Sequence, residues 1–367
     1  MRVGIVAEQL FQRPSGGIGT YVRGLIDALP GAGVEVRSIV ARHTGAELAS
    51  AGLDVATALP LPRRILYESW ARFGRPQIPV DVDIVHAPSL VYPSADRRPL
   101  VVTVHDLLFR SYPDTYTRRG LTFHERGLRH LGAAAAVLCP SEATAAEVRE
   151  LGSVPSILRV VPLGCDLAPA ARSDVDRACS DLGISGPYVL WIGSREPRKN
   201  LKGAVEAFAA ALARGIDPKT TLVLAGPEGW GSDPTDAVVR RLNIGSNVSS
   251  IGFVPEDRKA ALLTGASAFL FPSLGEGFGL PVLEAMACGV PVVASSRPAL
   301  PEIAGDAAIL ADPHDPDALG EQVARVLMDG TLADDLRQRG LERARGFTWE
   351  RTAAATAAVY REVLGVG

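Results

Sequence analysis

The densest group of residues able to do chemistry lies in Glu276-Gly277-Phe278-Gly279-Leu280-Pro281-Val282-Leu283-Glu284. Pro281 suits the first position of a helix, so the sequence predicts a helix start whose free amides, near Gly279 and Leu280, point outward. Such a start holds an anion such as a diphosphate. Unpaired N–H groups and the positive end of the helix dipole act together there, and glycine lets backbone approach a ligand closely. Glu276 and Glu284 bracket this anion site and can accept hydrogen bonds from ligand hydroxyls. A lone acid at either place is usually a dipole partner or a solvated loop carboxylate. It is the combination with the glycines and the proline that points to binding.

A second cluster, Gly193-Ser194-Arg195-Glu196-Pro197-Arg198-Lys199-Asn200, follows a predicted strand at Tyr188 to Ile192. Alone, this run of cations reads as a solvated loop. At a strand end it can supply the fixed positive charge that a departing phosphate needs where a metal does not. In the first half, Ser15-Gly16-Gly17-Ile18-Gly19-Thr20-Tyr21 follows the first predicted strand. Counting G-x-G-x-x-G from Gly17 puts Val22 where the third Gly belongs, and no G-x-x-x-x-G-K-S/T occurs, so nicotinamide and P-loop readings weaken. A tight structural turn is the plain alternative for this loop. His105-Asp106 ends another predicted strand, Leu100 to His105. An isolated histidine is more often packed or solvated than catalytic, and Asp106 stands close enough in sequence to orient the imidazole.

The elements that must position these residues follow from hydrophobic patterning. Short Val/Ile/Leu/Ala runs alternate with segments of helical period, the pattern of parallel sheets covered on both faces by helices. Predicted strands are Arg2 to Ala7, Val34 to Val40, Ile84 to His86, Leu100 to His105, Ala134 to Cys139 and Ile157 to Val161, then Tyr188 to Ile192, Leu222 to Ala225, Val248 to Ile251, Ala268 to Phe271 and Val290 to Ala294. Tyr21, Val22, Leu25, Ile26 and Leu29 form the apolar stripe of a first helix, and Ser141 and Thr348 can cap others. The fold class is therefore α/β, with two doubly wound parallel-sheet domains. A Pro- and Gly-bearing linker, Pro162 to Ser173, separates residues 1–167 from 168–347, and a last helix over 348–367 has no packing partner legible in sequence. In such sheets, ligands bind beyond the carboxyl ends of strands, where the motifs above fall.

From Glu276 to Glu284 the chain resembles the retaining glycosyltransferases of family four, whose signature is Glu, seven intervening residues and a second Glu, with Phe-Gly-Leu-Pro inside. The Gly289-Val290-Pro291-Val292-Val293-Ala294 segment is similar too. The resemblance implies the GT-B fold, two Rossmann-like domains facing a cleft, with the donor mainly on the second and the acceptor entering from the first. It implies that Glu276 contacts a hydroxyl of the transferred sugar, that Glu284 binds the nucleotide ribose, and that Gly279 and Leu280 face the diphosphate. Lys199 matches the family lysine. Ser194 stands where the family usually has Arg, so Arg195 or Arg198 must substitute. Gly17 and Gly19 belong to the loop that closes over the donor diphosphate, and His105 resembles the histidine beside the reacting sugar.

The implied activity is transfer of a sugar from a nucleotide diphosphate-sugar, a co-substrate rather than a cofactor, to a glycan, glycolipid or small-molecule acceptor, with retention and without a metal. The Glu-Pro-Arg-Lys-Asn form of the cationic loop resembles mannosyl- and rhamnosyltransferases of polysaccharide assembly and leans towards a GDP-sugar such as GDP-mannose. Asp-x-Asp triplets, which another class of glycosyltransferase uses to hold manganese, occur at Asp81-Val82-Asp83, Asp174-Val175-Asp176 and Asp315-Pro316-Asp317, none of them after a predicted strand, so no metal site is expected. A sugar phosphorylase, a nucleotide-sugar epimerase or a non-catalytic nucleotide-sugar binder on the same scaffold is the alternative.

Composition agrees with two ordinary globular domains. The chain has 367 residues, 47% of them hydrophobic and 22% charged, with a net charge of −3 that argues against a nucleic-acid binder. Its four cysteines, Cys139, Cys165, Cys179 and Cys288, lack metal or disulfide spacing, and no run approaches a membrane span, so a cytoplasmic protein is expected. One segment leaves a peripheral contact with the inner face of the membrane open. Arg118 to Leu131 places Leu121, Leu128 and Leu131 near one helical face among several arginines, which reads either as a surface resting on anionic lipid or as a core-packed helix with solvated arginines.

Overall fold

The computed structural model describes residues 1–12, 16–53, 55–93, 98–229 and 235–366. It divides into two compact units, one of Met1–Gly164 with Phe347–Gly367, the other of Cys165–Gly346.

The first unit holds a seven-stranded sheet in the order β3-β2-β1-β4-β5-β6-β7. Its strands are β1 (Arg2–Val6), β2 (Glu35–Val40), β3 (Ala56–Ala58), β4 (Ile84–Ala87), β5 (Leu100–Thr103), β6 (Ala136–Cys139) and β7 (Ile157–Val160), every neighbouring pair parallel. β4, β5 and β6 are buried along their whole length, as helices on both faces require of a central parallel strand. The order reverses between β1 and β4, which makes that edge the place to look for a ligand.

The second unit repeats the plan with six strands in the order β10-β9-β8-β11-β12-β13. They are β8 (Tyr188–Ile192), β9 (Thr221–Ala225), β10 (Val248–Gly252), β11 (Ala268–Phe271), β12 (Val292–Ser295) and β13 (Ile309–Ala311), again all parallel. Trp191, Phe208, Leu270 and Val293 belong to its core, and the winding reverses between β8 and β11. The helices Leu201–Ala213 and Pro316–Met328 pack so closely that a Cβ on Gly320 would stand 2.5 Å from the Ala207 carbonyl.

The helix Trp349–Leu364 belongs to the first unit. Thr348 caps it, its side chain accepting from the Arg351 amide at 3.3 Å. Thr352 donates to the Pro162 carbonyl at 2.8 Å, and Arg361 to that of Ala32 at 3.1 Å. Trp349 lies against the helix Gly16–Ala28 where Gly24 has no side chain, and a Cβ there would fall 2.2 Å from the indole.

One expectation changes. The glycine-rich segment is helical from Gly16 on rather than a loop, with Gly19 buried in the first turns of the helix that Tyr21 and Val22 anchor. Tertiary burial of that apolar stripe outweighs the poor helix propensity of glycine. The helix at Arg118 ends at Arg129, and its Leu121, Phe123 and Leu128, with Leu131 beyond it, pack against the core of the first unit. Leu121, Phe123 and Leu128 are half-buried there, as the core-packed reading of the segment expects. Among the described residues, no helix is long and apolar enough to cross a membrane.

Candidate active site

In the second unit, the two strands at the winding reversal carry the two predicted motifs. β8 runs into Gly193, and a short 3₁₀ turn, Pro197–Lys199, leads to Asn200, which adopts the left-handed conformation at φ 53°. Asn200 both caps the next helix, accepting from the Gly203 amide at 3.2 Å, and donates to the Pro272 and Pro313 carbonyls at 3.0 Å each. The loop is thereby pinned to the ends of β11 and β13, which fixes the backbone on either side of Lys199. Gly226 must come close beneath it, because a Cβ there would lie 1.8 Å from the Gly193 carbonyl.

β11 runs into Ser273 and Glu276. Lys199 donates to Glu276 Oε1 at 2.8 Å, Arg198 approaches the same oxygen at 3.1 Å, and Ser273 donates to it at 2.6 Å. Lys199 also sits over the Phe271 ring, 5.2 Å from its centre. Burial alone would raise the Glu276 carboxyl, but Lys199, Arg198 and the Ser273 hydroxyl hold it down at about 2. Burial lowers the Lys199 ammonium below its ordinary value despite Glu276. Glu276 is thus a fixed anion whose three side-chain partners crowd one oxygen. Arg198 further donates to the Gly275 carbonyl at 2.9 Å and faces Glu196 at 3.4 Å.

Gly279 is the N-cap of the helix Leu280–Ala287, at φ 105°, and a Cβ on it would meet Leu300 at 2.4 Å. Only glycine fits there without strain. Leu280 is the first helical residue and Pro281 the second, one position later than the sequence suggests. The free amides of this turn remain those before the first intrahelical bond, which runs from Val282 to the Gly279 carbonyl at 3.0 Å. Glu284, buried on the same helix, accepts from Lys259 at 2.5 Å, and burial raises its carboxyl against the pull of that lysine.

Of the predicted residues, Arg198, Lys199 and Glu276 therefore meet, with Ser273 as a fourth member. Arg195 is held by its amide, which donates to the Pro227 carbonyl at 3.1 Å, and Ser194 donates to Glu196. Lys259 and Ser273 were not legible. Each is a common residue type on an ordinary helix or loop, and only the fold brings Lys259, 25 positions before Glu284, to that carboxylate.

In the first unit, His105 follows β5. Its Nε2 lies 3.0 Å from the Pro88 carbonyl, and the Tyr21 ring meets its imidazole edge-on with centres 4.8 Å apart. Burial lowers His105 to about 4, against the opposing pull of Asp106 and the Pro88 carbonyl, so it is neutral at ordinary pH. A carbonyl can only accept, so the proton sits on Nε2 and Nδ1 is left as an acceptor. Asp106 uses Oδ1 to accept from the Leu108 amide at 3.1 Å, which makes Pro88 the group that orients the ring. Gly17 and Gly19 lie on the helix that carries Tyr21, and Ser15 falls outside the described residues.

The three Asp-x-Asp triplets serve the fold. Asp81 and Asp83 hold Arg2, Asp174 and Asp176 pair with Arg177 and Arg172, and Asp315 caps the helix at Pro316 by accepting from the Ala318 amide at 2.9 Å.

Residues 178–343 match the family described as Glycosyl transferases group 1, and residues 15–169 match Glycosyltransferase Family 4. The chain is 32% identical to the O-antigen chain mannosyltransferase B of Escherichia coli over 283 residues, 76% of this chain and 74% of that protein. It is 32% identical to the D-inositol 3-phosphate glycosyltransferase of Acidothermus cellulolyticus over 232 residues, 59% of this chain and only 52% of that protein. Among solved structures, Anabaena Alr3699/HepE in complex with UDP and glucose superimposes with a TM-score of 0.76 at 19% identity, covering 99% of this chain and 100% of that one. Two parallel Rossmann-like sheets, both signature motifs at strand ends and a mannosyltransferase relative matched over most of its length lead to one assignment: the chain belongs to the family 4 (group 1) glycosyltransferases of the GT-B fold.

Proposed function

We propose that this glycosyltransferase moves a hexose from a nucleotide diphosphate-sugar, with GDP-mannose as the preferred donor, to a glycan or glycolipid hydroxyl with retention and without a metal. The observation that carries this reading is the cluster at Glu276. With Lys199, Arg198 and Ser273 all on Oε1, Oε2 is left to accept from a ligand hydroxyl. Lys199 keeps further N–H donors for a diphosphate, beside the free amides at Gly279 and Leu280. Glu284 offers its second oxygen to a ribose hydroxyl in the same way.

In this scheme the bond from the anomeric carbon to the diphosphate oxygen breaks as the acceptor oxygen bonds on the same face. The acceptor proton passes to the leaving phosphate oxygen, so no protein nucleophile is needed. Neutral His105, with Nδ1 open as an acceptor, serves the transferred sugar. The mannose preference rests on the cationic loop and on the Escherichia coli mannosyltransferase, whereas the Anabaena structure holds UDP and glucose.

A thermal-shift series with GDP-mannose, UDP-glucose and UDP-N-acetylglucosamine tests the donor. A donor at about 100 times its Kd adds ~2.7 kcal/mol of stability. GDP-mannose is expected to give the largest shift, unchanged in excess EDTA. A shift with UDP-glucose alone would overturn the GDP preference, and a shift that EDTA abolishes and manganese restores would overturn metal independence.

A further inference from the structure

The first unit contains a buried polar chain that the reaction as described does not use. Tyr360, on the last helix, places its hydroxyl 2.6 Å from His86 Nδ1. His86 Nε2 lies 2.8 Å from the Thr103 hydroxyl, and that hydroxyl lies 2.8 Å from the hydroxyl of Tyr21. The Tyr21 ring in turn packs edge-on against His105. Tyr21, His86 and Tyr360 are within 1% of full burial, and Thr103 is 2% exposed.

Such a chain is costly to place in an apolar core unless every member is satisfied. Burial and the neighbouring His105 keep His86 neutral, near 3. A neutral imidazole has one donor and one acceptor nitrogen, so one of its two hydroxyl partners must donate and the other must accept. That requirement fixes the ring of His86 and the rotor of Thr103, and through Thr103 it fixes the height of Tyr21. The same last helix touches Tyr21 directly, since the Trp349 ring lies 6.5 Å from the tyrosine ring and occupies the slot that Gly24 leaves open.

We propose that Tyr360, His86, Thr103 and Tyr21 form a positioning chain through which the last helix sets the orientation and tautomer of His105. Tyr21 is the member in contact with His105, wedging its imidazole towards the Pro88 carbonyl so that Nδ1 stays open. Tyr360 and His86 act through it. A purely structural core would need only the apolar rings. The hydroxyls add nothing to packing, and their aligned contacts make sense as a means of fixing one arrangement. The proposal rests on the reading of His105 given above, and its test separates the two.

The experiment uses the full chain with Tyr360→Phe, Tyr21→Phe and His105→Ala, alone and in pairs, and two readouts. The first is the imidazole ¹⁵N spectrum of His105, which is independent of activity. Wild type is expected to show the single Nε2-protonated form, and Tyr21→Phe and Tyr360→Phe a mixture of tautomers. The second is kcat and KM for transfer from the donor found in the thermal-shift series. Each Tyr→Phe change is expected to lower kcat about tenfold with KM within twofold, and to have no further effect once His105→Ala is present. A His105 spectrum unchanged in both Tyr→Phe variants would overturn the positioning chain. Equal kcat losses with and without His105→Ala would also overturn it, since the hydroxyls would then act on stability alone. Full activity of His105→Ala would instead remove the role assigned to His105, while the spectrum still decides whether the chain orients it. Should Tyr360→Phe fold poorly, Thr103→Ser retains the hydroxyl and is expected to keep the wild-type spectrum, whereas Thr103→Val loses it.

Discussion

Glu276 carries more of the proposed chemistry than any other side chain. Its acid form is suppressed by two cations and a hydroxyl, all on one oxygen, which suits the proposed role of a positioned acceptor better than that of a general acid. Glu276→Ala is expected to bind free nucleoside diphosphate within a few-fold of wild type yet transfer at least ~100-fold more slowly, as measured by steady-state transfer beside calorimetric binding. Activity within a few-fold of wild type would show that the carboxylate does not touch the sugar. Removing the carboxylate also leaves Lys199 and Arg198 facing each other without their shared counter-ion, so a modest loss of stability is expected alongside. Glu276→Gln separates the two effects: it keeps the hydrogen-bonding shape and loses the charge.

At the scale of elements, two glycines set how closely neighbours approach. A Cβ on Gly24 would overlap Trp349, and one on Gly226 would overlap the Gly193 carbonyl from a backbone at φ 138°. Gly24→Val is expected to cost ~2 kcal/mol or more in urea unfolding, because the last helix must shift off the first. Gly226→Ala should instead act on function, raising KM for the donor several-fold as the loop that holds Lys199 moves. An unchanged KM would mean that the loop absorbs the clash without moving the lysine.

The legibility of these elements in the sequence follows the same physics. Central strands were readable because burial on both faces demands an unbroken apolar run, as in β8 and β11, whose bounds agree with the reading. The edge strands Ala56–Ala58 and Ile309–Ala311 were not, since each is three residues long and only half-buried, with no run to see. At the candidate site, Glu276, Glu284, Lys199 and Arg198 stand out in the sequence because they sit within fixed spacing of glycines and prolines that constrain backbone. Lys259, His86 and Tyr360 were missed because their partners are distant in sequence, and His86 reads as one residue of an apolar strand, whereas Ser273 was missed because a serine in a loop near Glu276 carries no signal of its own.

For the molecule as a whole, the buried histidines set an acid limit. His86 and His105 have folded values near 3 and 4, below the ordinary 6.5, so between those values the unfolded chain binds more protons than the folded one. Stability therefore rises with pH across that window, and is lost as pH falls from about 6.5 towards 4. For His86 alone the loss by pH 4 is ~3 kcal/mol in order of magnitude. Glu276, depressed from 4.5 to about 2, extends the decline at still lower pH, because protonating it discards its ion pairs. Urea midpoints measured from pH 8 to 4 should fall steadily below 6.5. A flat profile would mean that both rings are solvated and charged in the folded state.

The assignment of Phe347–Gly367 to the first unit has a consequence for how the protein is made. A chain emerging from the ribosome presents Met1 to Gly164 early, yet the slot at Gly24 and the Nδ1 of His86 cannot be filled until Trp349 and Tyr360, beyond the whole second unit, have been translated. The second unit, continuous from Cys165 to Gly346, can close while the first is still waiting for its last helix. Vectorial synthesis thus inverts the order of maturation, and the unit begun first is the one completed last. A ribosome stalled with residue 346 just exposed should carry a protease-resistant second unit behind a first unit that is still open to cleavage.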